Sequence, residues 1–157
     1  MKVRTFNLRI FLSSLILPAL AAILGGILVA SGMDMYNLLN KPSYTPPGWL
    51  FAVVWTVLYI MMACADYTVK TARSYDISAA TQMNYIQLAL NFIWVMFFFR
   101  FGLLWVSVVV LAFLIAAIIL TVINYSKISK KAAYLLIPYL VWCAFALFLN
   151  ISIAAMN

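Results

Sequence analysis

Fifty consecutive residues, Ile77 to Ser126, carry a single charge, Arg100. An α-helix rises about 1.5 Å per residue, and a bilayer core takes about 20 residues, so this run is too long for one crossing. It reads as two spans, 79–99 and 103–125, folded back at Arg100-Phe101-Gly102. A second charge-free run covers the 21 residues from Ile10 to Ala30. Two further apolar stretches, 47–69 and 132–155, complete the set. The chain is 68% apolar and 8% charged, against about 45–50% and 25% in soluble domains. The fold class expected is an all-α integral membrane protein, a single bundle of five transmembrane helices forming one domain over residues 1–157.

A secretory signal is the competing reading of the first run, because Pro18-Ala19-Leu20-Ala21 resembles a cleavage site behind Lys2, Arg4 and Arg9. Signal cores are shorter and this run continues past the cut, which favours an uncleaved span. Ala22, Gly26 and Ala30 recur every four residues, a row that lets another helix approach closely. Ala112 and Ala116 are similar candidates for a dimer contact on the fourth span.

Three of the five prolines, Pro42, Pro46 and Pro47, lie within six residues in the first loop, 31–46. Each fixes φ and disfavours helix in the residue before it, so the expectation is a stiff loop ending where Pro46 and Pro47 start a helix. Trp55 and Tyr59 then share a face of the second span. In the third span Asn84, Gln87, Asn91, Trp94 and Phe98 fall at spacings of 3 and 4, one helical stripe. Amides in lipid need partners, so this stripe faces the interior. Asn84 and Gln87 read equally well as interhelical hydrogen bonds; Asn91, one turn from Trp94, reads as a pocket polar group. In the fifth span Tyr139, Trp142, Phe145, Ala146 and Leu149 form a third inward face, with Pro138 expected to kink the helix. Together these faces describe a pocket for a flat, apolar ligand beneath the first loop.

The chain has no His and only three acidic residues, Asp34, Asp66 and Asp76. This leaves no metal cage, no paired-carboxylate site and no Ser-His-Asp triad. Asp66 and Lys70 form an i,i+4 pair expected at the membrane interface. The two cysteines, Cys64 and Cys143, lie inside apolar spans and are expected as free thiols. The ten Lys and Arg sit between the spans. Lys2, Arg4, Arg9, Lys70, Arg73, Lys127, Lys130 and Lys131 fall on one side, Lys41 and Arg100 on the other, which puts the N-terminus in the cytoplasm and the first loop and C-terminus outside. Basic residues this scattered imply no nucleic-acid binding.

Three stretches carry a family resemblance. They are Tyr36-x-x-Leu39-x-Lys41-Pro42-x-x-x-Pro46-Pro47 followed by Phe51-x-x-Val54-Trp55-Thr56-x-Leu58-Tyr59; Gln87-Leu88-Ala89-Leu90-Asn91-Phe92-x-Trp94 with Phe98-Phe99; and Pro138-Tyr139-Leu140-x-Trp142-x-Ala144-Phe145-Ala146 with Leu149-Asn150. In order, they resemble the first loop with the second helix, the third helix and the fifth helix of the tryptophan-rich sensory protein family, also called the translocator protein or peripheral-type benzodiazepine receptor family. The resemblance implies a five-helix bundle in a bacterial cell membrane, commonly a homodimer. It implies a pocket for porphyrins, protoporphyrin IX or haem, and for similar flat ligands, with no cofactor required. Some bacterial members break down protoporphyrin IX with light and oxygen, which the resemblance assigns to Trp55 and Trp142. Asn91, Trp94, Ala146 and Leu149 carry over as pocket wall. With them, Tyr36, Pro46, Trp49, Phe51, Tyr59, Phe98, Tyr139 and Phe145 make up the ligand-binding candidates. Lys41, or the amides opening the second helix, would meet the porphyrin propionates. The alternative is a transporter or receptor for a small amphiphile, without catalysis.

The chain departs from the family pattern at Met35 and Tyr44, where Trp is common, and at Val95-Met96, where Pro-Pro is common. The last departure predicts a straighter third helix. The sterol pattern expected at the end of the fifth helix is missing from Leu149-Asn150-Ile151-Ser152-Ile153, whereas Val122-x-x-Tyr125-x-Lys127 fits that weak pattern.

Overall fold

The computed structural model describes residues 6–72 and 77–157. Lys2, Arg4, Arg73 and Asp76, which enter the charge count above, lie outside the described residues. The described chain is helical, in the order α1 (Leu8–Leu38), α2 (Gly48–Lys70), α3 (Ile77–Val95) with a π-helical continuation (Met96–Arg100), α4 (Leu104–Ile128) and α5 (Lys130–Met156). α1, α2, α4 and α5 are each long and apolar enough to cross a membrane. α3 is the shortest at 19 residues and carries the amide stripe.

Two features differ from expectation, one boundary and one hydrogen-bond register. α1 does not stop near Ala30 but runs to Leu38, so the connecting loop is Leu39–Pro47 rather than 31–46. Nothing in Ser31–Leu38 breaks a helix, and the prolines begin only at Pro42. Gly32 also allows the extension, because a Cβ there would collide with the Phe99 backbone carbonyl of the π segment. The third helix, expected to straighten without Pro-Pro, instead changes its hydrogen-bond register at Met96. Single-turn π segments recur at functional sites. The turn behind it uses Gly102 at φ +62°, and the Leu103 amide donates to Phe97 O at 3.0 Å. That φ suits glycine, which has no Cβ to crowd the carbonyl.

α4 buries Ser107, Leu111, Leu114, Ile118, Thr121 and Tyr125, a stripe at spacings of 3 and 4 facing α3 and α5. Its other face, with Trp105, Val109 and Phe113, is exposed. Arg9 begins α1, Lys70 ends α2, and Lys127, Lys130 and Lys131 flank the α4–α5 turn. These sites share one end of the bundle. The Asn7 amide donates to Tyr67 Oη at 3.0 Å, and Tyr125 Oη donates to Asp66 Oδ1 at 3.1 Å, tying those termini together.

Candidate functional site

A cavity of about 410 Å³ lies between α1, α2, the end of α3 and α5, within the roughly 300–1,000 Å³ typical of small-molecule sites. One wall is aromatic. Trp55 and Tyr59, four residues apart on α2, have ring centroids 5.6 Å apart, and Trp55 lies 5.8 Å from Trp94. Tyr36, Phe51 and Phe98 also line the cavity, with Ala146 and Leu149 from α5. The facing wall is α1, which presents Ala21, Ala22, Gly25, Gly26 and Ala30. A Cβ at Gly25 or Gly26 would meet nothing within 4 Å. The small-residue row therefore opposes the aromatics across a void, where close helix contact was expected. Gly26, Ala30, Ala52 and Thr56 line the cavity and are also exposed, so it opens sideways between α1 and α2.

Eight of the candidates thus border this cavity: Tyr36, Phe51, Trp55, Tyr59, Trp94, Phe98, Ala146 and Leu149. Asn91 and Tyr139 do not. Both are fully buried beneath the wall, where Tyr59 Oη donates to Asn91 Oδ1 at 2.7 Å and Asn91 Nδ2 donates to Tyr139 Oη at 3.4 Å. Trp142 and Phe145 lie in a separate apolar groove between α2 and α5. Trp142 does not line the cavity; its ring lies edge-on to that of Phe51, which does, at 5.5 Å. Pro46 lines neither space, and Trp49 is 68% exposed. Sequence reasoning missed the α1 wall, although its small-residue row was visible. It also missed Asn150, which lines the cavity and accepts from Trp94 Nε1 at 3.1 Å and Ser107 Oγ at 3.2 Å.

The loop is tied down at its base. Lys41 Nζ donates to the carbonyls of Tyr36, Asn37 and Leu39 at 2.8, 3.3 and 3.0 Å, capping α1, and sits 4.7 Å from the Tyr36 ring centroid. All three ammonium donors are engaged, so Lys41 is not the free cation expected for a propionate. The Asn40 amide donates to Asn157 Oδ1 at 2.9 Å and Asn157 Nδ2 donates back to Asn40 O at 3.0 Å. Tyr44 Oη donates to Ser152 Oγ at 2.6 Å and its ring stacks on Phe148. Leu39 packs with Tyr36 and Phe51 against Phe98, Leu149 and Ile153, closing one end of the cavity.

Beyond the cavity, the amide stripe joins helices. Asp66, expected at the interface, is 1% exposed, while its partner Lys70 at 2.7 Å reaches the surface. Asn84 Nδ2 donates to Asp66 Oδ1 at 3.5 Å, Gln87 Nε2 to Asn84 Oδ1 at 2.9 Å, and Tyr139 Oη to Gln87 Oε1 at 2.8 Å. Burial of a carboxylate in an apolar bundle is tolerated because the ion pair and these donors replace its water shell. Cys143 is a buried free thiol and Cys64 a half-buried one. Among the described residues no group of three His, Cys, Asp or Glu is placed to hold a metal.

The model of the TspO/MBR family matches residues 14–156. The chain is similar to Tryptophan-rich protein TspO of Chlorobaculum tepidum, 38% identical over 124 residues that cover 78% of each chain. The protein of the same name from Archaeoglobus fulgidus is 36% identical over 122 residues, 78% of this chain and 79% of its own. Human Translocator protein is 34% identical over 137 residues, 85% of this chain and 81% of its own.

Proposed function

Because the chain belongs to the TspO/MBR family of membrane proteins, we propose that its cavity binds a flat macrocycle, protoporphyrin IX or haem, and promotes light- and oxygen-dependent breakdown of the porphyrin. In this reading α3 with its π segment is the fifth transmembrane span. The basic end of the bundle is cytoplasmic, the Leu39–Pro47 loop and the C-terminus face outward, and the protein is a homodimer in a bacterial cell membrane.

The observation that carries the reading is the cavity's asymmetry: Trp55, Trp94 and Tyr59 on one side, bare glycine backbone on the other. A planar ring system stacks on indole and phenol faces, and the glycines leave room for its width. With Lys41 engaged in capping, the propionates are left to the α2 N-terminus, where the first amides lack intrahelical acceptors and the dipole favours an anion. Gly48, the first residue of α2, lines the cavity. In the photoreaction the excited porphyrin is sensitiser and substrate, dioxygen is the oxidant, and the Trp55 indole is the nearby one-electron donor. Trp142, one ring further out behind Phe51, takes the lesser part.

The alternative is passage or sensing of the ligand without turnover, as the name of the mammalian relatives suggests. The sideways opening between α1 and α2 favours it, since a membrane-dissolved ligand could enter there. Titration of the detergent-purified protein with protoporphyrin IX, followed by illumination in air, separates the two. Saturable tryptophan quenching with bleaching faster than free porphyrin, slowed in Trp55→Phe more than in Trp142→Phe, supports turnover. Saturable binding with bleaching no faster than in solution selects the alternative. Absence of saturable binding rejects both.

A further inference from the structure

Tyr59, Asn91, Tyr139, Gln87, Asn84 and Asp66 form one continuous buried chain from the cavity to the basic end of the bundle, and each link donates to the next in the direction of Asp66. The direction follows from Asp66. Its carboxylate, paired with Lys70 Nζ at 2.7 Å, can only accept. Asn84 must therefore turn its NH₂ toward Asp66, which leaves Asn84 Oδ1 facing Gln87. Gln87 must then present its own NH₂ to Asn84, which leaves Oε1 to accept from Tyr139. Tyr139, its proton committed to Gln87, accepts from Asn91 Nδ2, and Asn91 Oδ1 accepts from Tyr59. Amide orientation and hydroxyl direction are thus settled link by link from the anion. Tyr59 is the one link that also lines the cavity.

We infer that Asp66 fixes the hydrogen-bonding sense of the cavity floor: Tyr59 Oη, its proton committed to Asn91, offers a cavity ligand a lone pair and no hydrogen. The site then selects flat apolar ligands that carry an N–H or O–H donor opposite Tyr59. Asp66 is a positioning residue, acting on Tyr59 through four intervening side chains, Asn84, Gln87, Tyr139 and Asn91. Bonds in such a chain polarise one another in a low-dielectric interior, which reinforces the common direction. Replacing the carboxylate by an amide removes the acceptor-only end and lets the chain reverse, so that Tyr59 can donate.

This inference rests on the reading of the cavity as a site for flat apolar ligands, and a pair of near-isosteric tricycles tests it. Carbazole carries a ring N–H; dibenzofuran has an oxygen there and no donor. Both are titrated by tryptophan quenching against the full chain in detergent, as wild type, Tyr59→Phe and Asp66→Asn. One buried hydrogen bond corresponds to about a 3–10-fold preference for carbazole in the wild type. That preference should vanish in both variants, and a merely structural role for Asp66 would weaken the two ligands alike. Equal wild-type affinities, or a preference that survives Tyr59→Phe, overturn the acceptor role. A preference lost in Tyr59→Phe and kept in Asp66→Asn overturns the role of Asp66. Should Asp66→Asn not fold, the wild type and Tyr59→Phe still decide the acceptor role. Failure of both tricycles to bind the wild type removes the cavity reading, and this inference with it.

Discussion

The cavity end of the bundle and the Asp66 end share α2, α3 and α5, yet one is hollow and the other filled. Around Asp66 the polar groups satisfy one another and α4 supplies the fully buried Tyr125, whose hydroxyl donates to the carboxylate; further along the same α4 stripe Ile118 and Leu114 are fully buried too. Around Trp55 the opposing helix is α1, whose glycines and alanines leave the aromatics without partners across the gap. The inward stripes look alike at both ends. What separates a pocket from a core is the size of the side chain that faces them. Lipid is as apolar as the protein interior, so cohesion in a bilayer comes from packing and buried hydrogen bonds more than from a hydrophobic driving force. A bundle can therefore keep an open cavity at one end if the other is well packed.

Substitutions at the two ends test this contrast, beginning with the filled one. Asp66→Leu leaves Lys70, Asn84 and Tyr125 without their shared acceptor and should cost about 3–5 kcal/mol, read as a lower midpoint in SDS-induced unfolding. A cost under about 1 kcal/mol would show that the polar chain does not hold that end together. Ile118→Ala should cost about 2–5 kcal/mol. Leu149→Ala, which enlarges a space already present, should fall at or below the lower bound of that range. Equal losses at the two positions would erase the distinction between core and cavity wall.

Gly32→Ala addresses the seam where α1 meets the π segment. The added Cβ meets the Phe99 carbonyl, and relief of that overlap should cost about 1–3 kcal/mol, measurable as a lower melting temperature in detergent. Gly26→Leu makes the opposite prediction six residues earlier. The new side chain enters open space, so stability should change by no more than about 1 kcal/mol, the helix-propensity gain over glycine. Protoporphyrin IX binding should nonetheless weaken at least about ten-fold, equivalent to roughly 1.4 kcal/mol. Unchanged binding in Gly26→Leu would place the ligand elsewhere.

The spacing of charges alone was enough to set the helical elements and their approximate spans, because a charge-free run of some twenty residues has few other ways to satisfy its backbone in lipid. The sequence also determined that Trp55, Tyr59 and Trp94 face inward, since helical spacing sets which side chains share a face. Packing between helices set what periodicity cannot encode. It carried α1 through Leu38, where no residue forbade helix and Gly32 fitted the π segment. It turned Lys41 onto three carbonyls, a contact that depends on how the chain folds back after α1. It buried Asp66, which spacing had placed at the interface, because Tyr125 and Asn84 arrive from helices distant in sequence. It set Trp142 behind Phe51, although both share the aromatic signature of the wall. And it made the Ala22-Gly26-Ala30 row a cavity wall. A row of small residues permits close approach but does not compel it; the helix set opposite, with its bulky indoles, decides whether the gap closes.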